Sequence, residues 1–160
     1  MGDTITLDRI ALMHPIIRKE LINDYEFINS QLPKNVRLRF SYTLRSIKEQ
    51  NELYAMGRTS SGRIVTNAKG GQSIHNYGLA FDIVMLYDKD NNGTFEVAKW
   101  DLDKNFMKVV SFFKSKGWEW GGDWRKFKDS PHFQLKKDDG SSYTWQYLSS
   151  LNKENNYPKL

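Results

Sequence analysis

Residues 73–82 read SIHNYGLAFD, and the chain runs on through IVMLY to residue 87. The segment LAFDIVMLY is apolar and β-branched enough for a buried strand. It nevertheless carries an aspartate, Asp82, and six residues separate that aspartate from His75. Gly78, between them, lets the chain turn, so His75 and Asp82 can converge on one point.

Working outward, VRLRF alternates over residues 36–40 and reads as a strand. A helix follows in RSIKEQNELYAMGR, with Ser46 as N-cap and Glu49 closing a capping box. Gly57 stops that helix, and a Gly- and Ser-rich loop leads into the histidine turn. Towards the N-terminus, residues 7–31 place Ile10, Met13, Ile17, Leu21, Tyr25 and Ile28 at helical spacing, with Pro15 predicting a kink or a break. His14, before that proline, reads as a surface or core-edge residue.

Downstream, TFEVAKW is expected to pair back on LAFDIVMLY across the DKDNNG turn. Residues 101–117 form the next amphipathic helix, with Leu102, Phe106, Val109, Val110 and Phe113 on one face and Gly117 at its end. Gly121 and Gly122 mark a turn, and Pro131 precedes a short alternating segment, His132 to Leu135. The last residues are polar and expected to fray. Helices and strands mix without βαβ order, so the class is α+β, a small antiparallel sheet flanked by helices. One domain is expected over residues 1–150, with 151–160 as a polar C-terminal tail.

The chain has 160 residues, 39% hydrophobic and 14% aromatic, enough for a core without staples. It has no cysteine, which excludes disulfides, thiolate-held zinc and a thiol nucleophile. Any metal must therefore use His, Asp or Glu. The net charge of +5 favours an anionic partner, but the basic residues are scattered and form no nucleic-acid motif. No apolar run is long enough to span a membrane, and a monomer is expected.

His132 adds a second imidazole to His75 and Asp82, and Asp129 stands three residues ahead of it in DSPHF. Two imidazoles and a carboxylate are the content of a catalytic zinc site, in which an open fourth position takes water. Pro131 restricts Ser130 to extended geometry and helps hold Asp129 and His132 at a fixed offset, with Asp129 spare to reach that water. A second ion is conceivable at DKDNNGTFE, where Asp88, Asp90 and Asn92 follow the start of a calcium loop. Position twelve is Lys99 rather than Glu, and an Asn-Gly hairpin explains Asn92 and Gly93 without an ion.

SIHNYGLAFDI resembles the SxHxxGxAxD motif of the zinc peptidases that include VanY-type D-alanyl-D-alanine carboxypeptidases and phage and bacillary L-alanyl-D-glutamate endopeptidases. DSPHF resembles the acid-x-x-His motif that completes their site, and LRSIKEQNELYAMGRT with GRIVTNAKGGQS resembles the endopeptidase branch. The likeness covers residues 36 to 135. It implies the D-Ala-D-Ala metallopeptidase/Hedgehog-type fold. His75, Asp82 and His132 become zinc ligands, Asp129 the general base for the attacking water, and Arg45 the cation at the developing oxyanion. Ser73 and Gln50 match family positions near substrate, and Trp120, among the neighbouring tryptophans, could line the cleft. Where this chain has Asp129 many relatives carry Glu, so Glu119 is a rival base.

The activity implied is hydrolysis of the L-Ala–D-Glu bond of the peptidoglycan stem, in a phage endolysin held in the host cytoplasm until release. Otherwise the enzyme belongs to the periplasm or cell wall, brought there by a signal absent from this sequence. The alternatives are a D-Ala-D-Ala carboxypeptidase or a non-catalytic wall-binding domain.

Overall fold

The computed structural model describes residues 2–160, and the strand after the histidine turn is the hub of its sheet. β1 (Val36–Tyr42) and β5 (His132–Leu135) flank β2 (Ala80–Tyr87), with β4 (Trp118–Trp120) outside β5. β3 (Val97–Lys99) pairs with the far end of β2 as the hairpin expected across the Asp-rich turn. All pairings in this sheet are antiparallel. The class is therefore α+β with an antiparallel sheet, as the sequence implied.

Alternation divides the sheet into two faces. Leu38, Phe40, Phe81, Ile83, Phe133, Trp118 and Trp120 point into the main core. There they meet Ile10 from α1 (Thr4–Ile10), Leu21, Tyr25 and Ile28 from α2 (Pro15–Ser30), and Phe106, Val109, Val110 and Phe113 from α4 (Lys104–Ser115). The Phe40 and Phe81 rings stack with centroids 4.1 Å apart, and Phe113 meets Phe81 edge-on at 5.0 Å. The opposite face carries Asp82, His132, Gln134 and Glu119: Asp82 is paired with His132, and Glu119 with Gln134.

Pro15 breaks the first helical region outright. His14 becomes the N-cap of α2, its Nδ1 accepting from the Ile16 N–H at 3.2 Å, and Pro15 takes the first turn, where its missing N–H costs nothing. α3 (Ile47–Ala55) has the full capping box of Ser46 and Glu49. Leu102, expected on the buried face of the fourth helix, is instead exposed, because Asp103 caps α4 and leaves it outside.

The C-terminal residues are not frayed. After α5 (Trp145–Ser150), β6 (Lys153–Glu154) and β7 (Tyr157–Pro158) form a hairpin closed by Asn155 and Asn156. Both asparagines have positive φ, as a two-residue primed turn requires. His14 Nε2 donates to the Pro158 carbonyl at 2.7 Å, and Tyr157 packs on the His14 ring. Polar composition hid this anchor, because one aromatic ring and one buried imidazole supply it.

The calcium expectation finds no support. Both Asp88 oxygens accept backbone N–H groups of the turn, from Asn92 and Gly93, at 3.1 and 2.8 Å. Lys99 lies in β3, and although the Asp88, Asp90 and Glu96 carboxylates come near one another, turn chemistry alone accounts for Asp88.

Candidate metal centre and cleft

His75 sits in a short 3₁₀ turn (Ile74–Tyr77) capped at its start by Ser73 and Asn76 and ended by Gly78 in the left-handed region, φ 71°. Only glycine fits there, since a Cβ would lie 2.6 Å from the His14 backbone N. The turn delivers His75 beside Asp82. On the other side, β5 pairs with β2 so that His132 lies directly across from Asp82.

The three groups meet at one point. Asp82 Oδ1 is 3.1 Å from His75 Nε2 and 3.0 Å from His132 Nδ1. Each imidazole is fixed from behind: His75 Nδ1 donates to the Thr43 carbonyl at 2.7 Å, and His132 Nε2 to Gln134 Oε1 at 2.9 Å. These donations place the ring protons outside, so the inward nitrogens present lone pairs towards a carboxylate. Three acceptors facing one another need a cation, and outer acceptors of this kind fix the tautomer of metal-ligating histidines. The donor set therefore fits a divalent ion, and two nitrogens with one oxygen suit zinc.

The same crowding sets the electrostatics. Burial would raise the Asp82 carboxyl, but His75 and His132 hold it well below the usual range. Burial opposes protonation of His132, yet its hydrogen bond to Asp82 and that residue's charge push its pKa up in the metal-free protein.

Asp129 lies beside this cluster without joining it. Its Oδ2 is 3.9 Å from His132 Nδ1, and the side chain is half exposed. Desolvation and then the Asp82 charge raise its pKa, against the pull of His132, His75 and Arg45. The turn that carries it is tightly held: His132 N donates to Asp129 O, Asp129 N donates to Gly121 O, and Trp120 Nε1 donates to Ser130 O at 2.7 Å. Pro131 thus acts within a clamp whose other jaw is the end of β4.

Arg45, Ser73, His75, Asp82, Asp129 and His132 all line one cleft of about 480 Å³. Arg45 Nη1 donates to Gln50 Oε1 at 3.0 Å, while its Nε is buried without a partner among the described residues.

Three sequence expectations are corrected. Gln50 is fully buried and not on the cleft wall; its amide joins Arg45 to the Ala68 carbonyl, so it supports the cation and the neighbouring loop. Trp120 faces the core, and the tryptophan on the cleft is Trp124, whose ring lies 5.3 Å from that of His132. Glu119 is not placed as a base: its oxygens accept from Trp124 Nε1 at 2.7 Å and from the Ser142 hydroxyl. The alternation of WEW was the available signal, since it sets both flanking tryptophans opposite Glu119.

Residues 66–135 match a family model described as D-alanyl-D-alanine carboxypeptidase. Over 127 residues, 77% of this chain and 73% of the relative, the sequence is 40% identical to the peptidoglycan L-alanyl-D-glutamate endopeptidase CwlK of Bacillus subtilis (strain 168). It is 43% identical over 64 residues to the L-alanyl-D-glutamate peptidase of Listeria phage A118, covering 40% of this chain and 21% of the phage protein. Among solved structures, the Serratia marcescens L-Ala D-Glu endopeptidase ChiX has the same fold, with a TM-score of 0.56 and 24% identity over 84% of this chain and 89% of that one.

Proposed function

Since the chain belongs to the M15 peptidase family, we propose that it hydrolyses the L-Ala–D-Glu bond of the peptidoglycan stem, with His75, Asp82 and His132 holding zinc and Asp129 as general base. The observation that carries this is the convergence of two outward-protonated imidazoles and a carboxylate on one point, with a second carboxylate close by. The activities for which the bacterial and phage relatives are named support the choice of bond.

Zinc at this point supplies a Lewis acid for the scissile carbonyl and brings the pKa of water towards ~7. The chain's own groups do the rest. Asp129 takes the proton of the attacking water on a carboxylate oxygen and passes it to the departing D-Glu nitrogen. Arg45, on the wall of the cleft, supplies fixed positive charge for the developing oxyanion. The free α-carboxylate of D-Glu, beside the scissile nitrogen, is drawn to the same end of the cleft. Trp124 covers His132 and limits water on that side.

Mass spectrometry of fragments from purified peptidoglycan, digested with zinc-loaded and with chelated protein, tests the reading. New stems ending in L-Ala and peptides beginning at D-Glu, seen only with zinc, are expected. Loss of terminal D-Ala alone would make it a carboxypeptidase, the activity in the family model's description. Sedimentation with the wall and no cleavage would leave only a binding domain.

A further inference from the structure

We propose that the groove leading away from the cleft seats the glycan sugar that carries the stem, so that the enzyme reads the sugar as well as the peptide. This rests on the assignment of the L-Ala–D-Glu bond above. The groove, of about 800 Å³, lies between the loop bearing Ile64, Val65 and Asn67 and the segment bearing Trp124 and Phe127, with Trp145 also lining it. It is continuous with the cleft, because Val65, Trp124 and Asp129 line both.

Its lining is unusual for a surface exposed to water. Ile64, Val65 and Phe127 are 58%, 54% and 78% exposed, and they gather on one groove rather than scattering. Phe127 also has φ 54°, a left-handed backbone that is unfavourable for a non-glycine residue. An aromatic ring this exposed, held by a left-handed backbone on the groove wall, is placed to meet a ligand.

The walls are preformed. Arg58 donates to the Thr66 carbonyl at 3.0 Å, Gln50 to the Ala68 carbonyl at 2.8 Å, and Trp124 is tied to Glu119. Little ordering is then left to oppose binding.

Charge gives the direction. Arg45 lines the cleft and not the groove, so the D-Glu carboxylate, on the nitrogen side of the scissile bond, belongs at the Arg45 end. The acyl side, L-Ala and then the sugar, must leave by the other end, past Asp129 into the groove. Lys128 and Asp129 are its charged groups and oppose each other in sign, which suits a neutral sugar. The C–H face of a pyranose lies against aromatic rings, and its hydroxyl and acetamido edges meet polar groups such as Asn67.

The test compares a stem peptide carrying N-acetylmuramoyl on L-Ala with the same peptide lacking the sugar, using zinc-loaded wild type and Phe127→Ala. Wild type should cleave the sugar-bearing substrate with kcat/KM about 10-fold higher, an aromatic contact's worth. Phe127→Ala should lose most of that preference, keep its kcat/KM on the sugar-free peptide, and melt like wild type, since the side chain is exposed. Equal cleavage of both substrates by wild type overturns the inference while leaving the assigned activity standing. An equal loss on both in Phe127→Ala overturns it too, by giving the groove to peptide. Cleavage of neither substrate by wild type overturns the assigned activity, and this inference with it.

Discussion

Gly121→Ala separates the proposed base, Asp129, from the proposed metal ligands. A Cβ at residue 121 would lie 2.3 Å from the Asp129 carbonyl oxygen and 3.1 Å from Asp129 Cβ. The blocking atoms are backbone, so the Asp129 segment itself must retreat by roughly 1 Å, a misplacement that can cost about 100-fold in rate. His75 and Asp82 are untouched, as they lie on the 3₁₀ turn and β2. His132 bonds through its N–H to the displaced Asp129 carbonyl, but it is also held from the other side by its pairing with Asp82 across β2 and β5. The expected outcome is a fall in kcat of about 100-fold, zinc affinity within a few fold of wild type by chelator competition, and a stability loss of about 1–3 kcal/mol from overpacking. Wild-type kcat in a folded, zinc-loaded variant would refute the placement of Asp129 as base. Loss of zinc in step with activity would show instead that the turn sets the ligands and the base as one unit.

Alanine at His75, Asp82 or His132 should abolish zinc binding and cleavage together, whereas Asp129→Asn should keep stoichiometric zinc by elemental analysis and lose at least 100-fold in kcat. Glu119→Gln should retain substantial activity, with a drop of about 10-fold or less, because Glu119 accepts from Trp124 and Asp129 is the proposed base; inactivation as deep as that of Asp129→Asn would reverse the two roles. Acid stability should depend on Asp3, which accepts from Arg39 Nε and Nη2 at 2.8 and 2.9 Å. Burial raises its pKa, but Arg39 and Thr6 lower it overall, so its contribution is present above the ordinary carboxyl range and lost as pH falls through the depressed value. Asp3→Asn should therefore cost about 1–2 kcal/mol near neutrality, discounted because Arg39 is partly exposed, and much less at low pH by denaturant titration.

The sequence by itself carried each half of the candidate metal site, because each half is local, while the pairing of β2 with β5 that joins His132 to Asp82 belongs to the tertiary structure. His75 and Asp82 lie on one turn-strand unit, and Asp129 and His132 on one four-residue turn, so spacing alone carried both halves. Strand and helix identities followed from period and capping, as at Ser46 and Glu49. What only the tertiary structure decided was the facing of residues whose partners are distant in the chain. The pairing of β4 with β5 turned Trp120 inwards and set Glu119 beneath Trp124. The packing of α3 against the loop at Ala68 buried Gln50, and the C-terminal hairpin closed onto His14. Each is a long-range contact between groups whose local patterns admit either orientation, and burial of the core chose between them.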